Sequence, residues 1–559
     1  MLLAIVLSDA ACAQQGAHQP AVDPRQAERT FDALQAEQRR ANRAAIGLPQ
    51  TTTRDTGADT RPLFKLTDVT VEGASAIPAE TIAGAYRSYI GKRVSQADLV
   101  AIAANISDLY RAAGYHLSRA IVPPQDIKNR RIRVQVIEGR IAEVVVKGPS
   151  ADRFGIRALL APVTGEQPSR LPTVERRLLL ANDRPGVRVA DTALEEIGAA
   201  TGNFRLIVTV ETWQIFAAQG FDNLGSPAVG PWQAYSATAF NSYLIPGDTF
   251  GVNLSTTPLA ASELKFARMF YDAPVGIDSV RLGASALYSE AWPGDIRRLF
   301  GSYTQTEIYE VRGSFAPLES RTASLRLTAT AGYSDVSGRD SIGIPYSDHL
   351  RTAALTADYK MQDNLGGWNY VTAIYRQGFD ALGASKLGDP YVSRAGASGV
   401  FSVFDFLATR YQALSDLWSV KLSVTGQLAS TVLLTSQQFY LGSAAYGPGY
   451  YQGDNAIAGL AELRFDRVLP DDVLKGYQLY GFIDRGAVWN VDSRDTVLSL
   501  SSAGVGIRLY LAGQVQAGVA VAFPLRYRTT DNDVRGGRIL FSLSNTLKVC
   551  PERNEMRCL

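Results

Sequence analysis

The sequence contains few of the residues on which most enzyme sites depend. Its 559 residues include only three histidines, three cysteines and four methionines, and the histidines, His18, His116 and His349, are widely separated. It also lacks a Gly-Lys-Ser/Thr phosphate loop, an HExxH pair and a Gly-x-Ser-x-Gly nucleophile motif. We therefore predict that the protein is not an enzyme and needs neither a cofactor nor a catalytic metal.

Neither a strong charge of one sign nor a long apolar run is present. The 56 Lys and Arg residues nearly balance the 54 Asp and Glu residues, and no basic run is interleaved with aromatics. A nucleic-acid partner is therefore not expected. No run of about 18 apolar residues follows the N-terminus, which argues against spanning helices. A membrane β-barrel remains compatible with 46% hydrophobic residues, because its apolar residues alternate with polar ones.

Alternating strands dominate the chain beyond Trp213. Residues 324–331 and 514–523 each place apolar side chains at every second position, and turn signals such as Pro246-Gly247-Asp248 and Pro293-Gly294-Asp295 separate the strands. Unpaired backbone groups in lipid cost several kcal/mol each, so a spanning strand series must close into a barrel. We predict a transmembrane β-barrel over residues 213–547; a soluble all-β domain is the alternative that this length disfavours.

Two compact α+β units precede the predicted barrel. In residues 63–140, strands around Val69 and at 117–122 and 132–137 flank helical spacing at 82–90 and 99–113. Residues 141–212 repeat this βααββ order. The open sheet edges of such units can bind an extended peptide by strand addition. The alternative is that they only separate the leader from the barrel.

The N-terminus and C-terminus carry the remaining segments. Residues 1–13 read as a signal peptide, possibly truncated, and residues 14–62 as a polar helix and a linker, for which a solvated leader is the alternative. Residues 548–559 form a tail in which Cys550 and Cys558 could form a disulfide in an oxidising compartment.

The most specific signals lie between Phe439 and Gly486. A glycine-rich stretch with tyrosines leads to Gly453-Asp454 and then to a Glu462-Leu463-Arg464 strand, and Phe482-Ile483-Asp484-Arg485-Gly486 follows. These motifs resemble those of two-partner secretion transporters of the haemolysin and filamentous-haemagglutinin type. Residues 114–125 and 134–141 likewise resemble the first polypeptide-transport-associated (POTRA) domain of that family.

The resemblance implies an architecture and a function. It implies an outer-membrane barrel of about 16 strands in a Gram-negative bacterium, two periplasmic POTRA domains and an N-terminal plug helix in the barrel lumen. The POTRA domains would bind a large unfolded exoprotein, a β-helical adhesin or haemolysin with an N-terminal secretion domain, for ATP-free export through the pore. Other expected partners are outer-membrane lipid and the barrel-assembly machinery. An assembly factor for other barrels and a passive solute channel are the alternatives.

The expected site is a lumen loop and the inner wall beside it. The loop tip comprises Tyr446, Gly447, Pro448, Gly449 and Tyr450, with proline where the family has an arginine.

Strand alternation places Glu462, Arg464, Phe482, Asp484, Gly486 and Arg508 on the inner wall. Because the tip lacks an arginine, we expect Arg464 and Arg508 to pair with Asp484 instead. The alternative is that water in the lumen solvates Asp484.

Overall fold

The computed structural model describes residues 31, 59–127, 129–226, 229–260, 263–276, 279–493, 497–525 and 536–549. The predicted signal peptide, most of the predicted plug helix and linker, and the two tail cysteines lie outside these residues. No helix in the described part combines the length and the apolar character needed to cross a membrane.

The first α+β unit follows the predicted order, with one extra two-stranded ribbon. The helix Gln96–Ala112 begins with a capping box, in which Ser95 and Asp98 satisfy each other's backbone N–H groups, and it buries Ile102, Ile106 and Tyr110 against a three-stranded sheet. Its elements are β1 (Pro62–Lys65), β2 (Asp68–Glu72), α1 (Ala79–Gly84), β3 (Arg93–Ser95), α2 (Gln96–Ala112), β4 (Arg119–Ile121) and β5 (Arg131–Ile137). The helix predicted over 82–90 is shorter, because a 3₁₀ turn replaces its second half.

The second unit repeats this plan around a three-stranded sheet, in which the last strand of the unit is central. Its elements are β6 (Arg140–Lys147), α3 (Ile156–Leu160), α4 (Leu171–Asn182), β7 (Val187–Glu196) and β8 (Asn203–Thr212). The two units are in direct contact: Arg119 and Glu196 form an ion pair of 2.9 Å, and Leu117 of the first unit is buried in the core of the second. The junction therefore holds the units as one arm.

His116 lies within this junction. The carbonyl of Gly114 accepts a hydrogen bond of 2.8 Å from the backbone N–H of Leu171, and the Arg170 guanidinium lies over the Tyr115 ring. Both ring nitrogens of His116 are buried without a hydrogen-bond partner among the described residues. Burial accordingly lowers the pKa of His116 below its usual value.

We expect His116 to make the arm sensitive to acid. Because its folded pKa is lowered, the stability that the neutral ring contributes is present at neutral pH and is lost as pH falls through the folded value. Thermal unfolding of the detergent-solubilised protein, followed by helix CD at 222 nm, should show a lower arm Tm at about pH 5 than at about pH 7.5. His116→Leu should reduce this difference; an identical pH dependence in both proteins would contradict the assignment.

Sixteen strands of the described residues close into one antiparallel barrel, as predicted. The last strand pairs with the first, from Ser542 opposite Asp222 to Val549 opposite Ile215. The strands are β9 (Ile215–Asp222), β10 (Gln233–Asn241), β11 (Thr249–Thr256), β12 (Leu264–Pro274), β13 (Arg281–Ala291), β14 (Tyr303–Glu319), β15 (Ala323–Arg339), β16 (Pro345–Gln362), β17 (Trp368–Gly378), β18 (Ser402–Ala413), β19 (Trp418–Ala429), β22 (Asn455–Val468), β23 (Leu474–Trp489), β24 (Leu498–Leu511), β25 (Val515–Pro524) and β26 (Arg538–Val549). Between β19 and β22, strands β20 (Phe439–Ser443) and β21 (Gly447–Gly453) form a separate hairpin.

The two ends of the barrel differ. At the end that carries the α+β units, here called the domain end, short turns join the strands; in the first, Asp248 accepts hydrogen bonds from the backbone N–H groups of residues 243–245. At the opposite end, here called the far end, the connections are longer and include residues 379–401 and the hairpin segment 430–454.

The second unit contacts the domain end through charged and backbone groups. Arg184 donates to the carbonyl of Pro246 in the first turn at 3.1 Å, and Asp183 pairs with Arg326 of β15 at 2.9 Å. Arg153 donates to the carbonyl of Ser242 at 3.0 Å. These contacts place the connection between α4 and β7 at the mouth of the barrel.

Candidate functional site

The barrel encloses a cavity of about 780 Å³. Its wall includes polar side chains of the inner strand faces, among them Thr328, Thr330, Thr352 and Arg268, and residues 182–186 of the second unit line it at the domain end. The cavity is therefore continuous from the α+β arm into the barrel. The polar groups in this lining suit an extended polypeptide, whose backbone groups need hydrogen-bonding partners along the path.

Phe31, in the segment predicted as a plug helix, lies inside the barrel. Its ring stacks on Phe266 with centroids 5.5 Å apart, meets Tyr235 edge-on at 6.1 Å, and is 1% exposed. Leu287 and Ile308 complete this apolar cluster on the inner wall. An aromatic side chain of the N-terminal segment thus binds the wall of the lumen.

Phe31→Ala is expected to increase the open probability of the resting pore. Aromatic pairs contribute about 1 kcal/mol beyond area burial, so loss of the Phe31 contacts should raise the frequency of open events in planar bilayers by about fivefold or more. Phe250→Ala, which removes a phenyl ring from the exposed outer face, is the matched control. Equal recordings from the two variants would contradict a role for Phe31 in closing the lumen.

The β20–β21 hairpin is folded against the inner wall. Leu441, Ala445, Tyr446, Tyr450 and Tyr451 are all buried. They pack in one cluster with wall residues of β22 to β25, which are Ala456, Phe482, Val488, Leu500 and Ala522. The hairpin therefore occupies part of the lumen cross-section while remaining outside the barrel sheet.

The predicted tip of this loop is corrected by the structure. Ser443 pairs with Gly447, so the turn consists of residues 444–446 and ends at Tyr446. The other four predicted tip residues, Gly447, Pro448, Gly449 and Tyr450, belong to the returning strand β21. The glycines on either side of Pro448 have positive φ, a backbone conformation that glycine adopts without strain. Tyr446 and Tyr450 contact edge-on with centroids 4.8 Å apart, and Tyr450 meets Tyr451 at 5.0 Å.

Asp484 receives the turn of the hairpin through hydrogen bonds. Its carboxylate accepts bonds from the backbone N–H of Ser502 at 3.0 Å, from the Ser502 hydroxyl at 2.7 Å and from the backbone N–H of Ala444 at 3.3 Å. One carboxylate thus connects the turn to two wall strands. On the same strand, a Cβ at Gly486 would lie 2.4 Å from Leu441, so glycine permits the hairpin to approach closely.

The expected pairing of Asp484 with Arg464 and Arg508 is wrong. In the observed register Asp484 lies opposite Leu460 and Ser502, whereas Arg464 lies opposite Tyr480 and Arg508 opposite Gln478. Both arginines pair instead with Glu462, at 2.6 and 2.9 Å. Strand alternation placed these side chains on the correct face, but it does not determine how far along the barrel they lie.

A second charged contact, which sequence reasoning missed, lies at the base of the hairpin. Asp454 is fully buried and accepts hydrogen bonds from the N–H of Leu433 at 3.2 Å and of Val491 at 3.0 Å, and its carboxylate pairs with Arg394. The Gly453-Asp454 motif marked one partner. Arg394 lies in the long connection 379–401, where no periodic pattern indicates a position.

Two family models match the chain. The model described as "POTRA domain, ShlB-type" matches residues 64–139, and the model described as "Haemolysin secretion/activation protein ShlB/FhaC/HecB" matches residues 206–509, more than half of the chain. The chain belongs to this family of haemolysin secretion/activation proteins. The predicted resemblance, the barrel preceded by POTRA architecture and the transporter function are thereby confirmed.

The sequences of known relatives align with most of the length of this secretion protein. A heme/hemopexin transporter protein HuxB of Haemophilus influenzae is 24% identical over 502 residues, covering 83% of this chain and 84% of the relative. An outer membrane transporter CdiB of Dickeya dadantii is 22% identical, covering 75% and 76%.

Solved structures of CdiB share the fold. CdiB from Escherichia coli has a TM-score of 0.75 at 17% identity and covers 95% of this chain and 100% of its own, and CdiB from Acinetobacter baumannii has a TM-score of 0.65 at 15% identity, covering 94% and 98%. These structures show the fold. The family match makes the chain an outer-membrane β-barrel protein of two-partner secretion in a Gram-negative bacterium.

Proposed function

We propose that this transporter binds an unfolded exoprotein on its α+β arm and passes it as an extended chain through the barrel lumen. The observation that carries this proposal is the position of residues 182–186, which belong to the arm and also line the lumen cavity. A segment bound on the second unit is therefore already at the mouth of the pore. The sequence contains no nucleotide-binding motif, and the mechanism needs none.

The proposed orientation places the domain end in the periplasm and the far end outside the cell. The short turns at the domain end and the long connections at the far end support this orientation, since outer-membrane barrels have short periplasmic turns and longer extracellular loops. The α+β arm and the C-terminal tail are then periplasmic, and outer-membrane lipid contacts the exposed apolar side chains on the outer face of the strands, such as Leu327, Ile457 and Val519.

The client is proposed to bind the arm by strand addition. The sheets β2-β5-β4 and β6-β8-β7 each have edge strands whose outer N–H and C=O groups can pair with an extended peptide. Such pairing reads the backbone of the client more than its sequence, which suits a large β-helical adhesin or haemolysin with an N-terminal secretion domain.

The driving force is proposed to come from folding of the client outside the cell. A chain that emerges unfolded and then buries a β-helical core cannot return through a pore that accepts only extended segments. Insertion of the transporter itself is proposed to depend on the barrel-assembly machinery. No catalytic group is required at any step.

Export of the client exoprotein tests the proposal. Culture supernatants of cells with and without the transporter should differ in the amount of client, while the levels of other outer-membrane barrels stay equal. If the client reaches the supernatant equally well without the transporter, the proposal is wrong. If other barrels are depleted instead, the chain acts as an assembly factor.

A further inference from the structure

The long connection 379–401 at the far end is held by backbone hydrogen bonds to the far-end part of β16. The backbone N–H of Phe379 donates to the carbonyl of Arg351, and the N–H of Ser385 donates to the carbonyl of His349, each at 2.9 Å. The connection therefore continues the sheet beyond the end of β17 and is held along its first half.

The second half of the connection contacts the segment from which the hairpin begins. Ser393 donates to the Asp348 carboxylate through its N–H at 2.8 Å and its hydroxyl at 2.6 Å, and its hydroxyl oxygen accepts a bond from the N–H of Thr435. An apolar cluster joins the same two segments, with Ala397, Phe401, Leu433 and Leu434 all buried beside Leu350. The far-end connection thus packs directly on the start of the hairpin segment.

The hairpin segment has a single charge, and Arg394 pairs with it. Residues 430–453 contain no Lys, Arg, His, Asp or Glu, and Asp454 at their end is fully buried. The Arg394 guanidinium, whose side chain is 17% exposed, pairs with Asp454 and also with Asp492 at 3.1 Å, and it donates to the carbonyl of Leu433 at 3.3 Å. A buried carboxylate that loses its charged partner is strongly destabilising, so this contact stabilises the base of the hairpin in the observed position, together with the backbone donors of Asp454.

We infer that Arg394 is the positioning residue of the lumen hairpin, holding its base from the far-end connection while Asp484 receives its turn. The inference rests on the proposed function, because the hairpin is taken to regulate passage of a client through this lumen. The planar guanidinium spans Asp454 and Asp492 at once, a geometry that a lysine reproduces only in part. With its base free, the hairpin neither closes the resting lumen nor keeps the position in which it lines the path of the client, so loss of this contact impairs both.

Arg394→Gln tests the inference against a matched change at the other end of the barrel. Arg410, whose side chain is 28% exposed, pairs with Asp363 at the domain end. Its hydrogen-bond partners among the described residues, Asp363, Asn369 and Gln412, all lie outside the hairpin segment, so Arg410→Gln is the control. In planar bilayers, Arg394→Gln should raise the frequency of open events by about tenfold, as loss of about 1.4 kcal/mol would do, and client export should fall by a similar factor. Arg410→Gln should change neither readout, and Arg394→Lys should recover part of both.

The outcomes distinguish failure of the proposed function from failure of the inference about Arg394. Absence of export by the wild-type transporter contradicts the proposed function itself. If the wild type exports the client normally and Arg394→Gln and Arg410→Gln show the same frequency of open events, the inference alone is overturned. If Arg394→Gln does not reach the membrane as a heat-modifiable barrel, Arg394→Lys decides: recordings equal to those of the wild type overturn the inference, and an intermediate open probability supports it.

Discussion

Replacement of Asp484 by alanine is expected to raise the open probability of the pore by at least about tenfold and to reduce client export by a similar factor. The substitution removes the acceptor for the N–H of Ser502, for its hydroxyl and for the N–H of Ala444 at the turn of the hairpin. A buried donor left without an acceptor costs about 1 to 3 kcal/mol. The N–H of Ala444 is the donor that belongs to the hairpin, so its loss weakens the seated position, whereas the two Ser502 donors lie on the wall strand β24. Single-channel recording and export in the same strain measure the two effects.

Two further variants make this prediction specific. Asp484→Asn keeps one carbonyl oxygen that can accept from Ser502, so its effect should be smaller than that of alanine. Arg508→Gln disturbs the pair with Glu462 but touches none of the bonds of Asp484, and it should not reproduce the alanine phenotype. If Arg508→Gln and Asp484→Ala behave alike and are non-additive, the arginine and the aspartate form one unit and the present assignment is incorrect.

Gly486→Val is expected to prevent the hairpin from seating. A Cβ at this position would lie 2.4 Å from Leu441 of the hairpin and 3.0 Å from Ala458 of β22, and Leu441 is only 2% exposed. Overpacking of this kind typically costs about 1 to 3 kcal/mol. We therefore expect a rise in open probability of about five- to hundredfold, with loss of export, in a barrel that still assembles.

Gly481→Val on the same strand is the control for that prediction. Its Cβ would face outward, with the nearest atoms 3.9 Å away, so the added side chain meets open space or lipid. Gly481→Val should leave the open probability of the pore and the export of the client unchanged. Equal behaviour of the two valine variants would show that close packing at Gly486 does not control the hairpin.

The sequence determined which face of each strand a residue occupies more reliably than which residue it meets. Alternation put Glu462, Asp484 and Arg508 inside the barrel, because the period of two follows from strand geometry alone. The partners depend on the register between strands, which the barrel sets through the stagger of all its strands together. Arg464 therefore reached Glu462 on its own strand, and Asp484 was left to backbone and hydroxyl donors.

The α+β units were predictable for a different reason. Helix α2 carries its capping box, and β5 carries its alternation within a few residues, so local patterns were sufficient. Arg394 had no such pattern, because a long connection has no period and its contacts are set by what lies beneath it. The hairpin turn was misplaced by a few residues since Pro448, usually a turn residue, here lies within a strand between two glycines of positive φ.

Site-specific photo-cross-linking to a stalled client tests most directly whether the exoprotein passes through the lumen. A client fused to a rapidly folding domain would remain in transit, and a photoreactive amino acid would be placed either at Thr330, which lines the cavity, or at Leu327, which is exposed on the outer face of the same strand. If the client passes through the lumen, we expect a transporter–client adduct from Thr330 and none from Leu327. Adducts from Leu327 alone, or equal adducts from both positions, would contradict passage through the lumen.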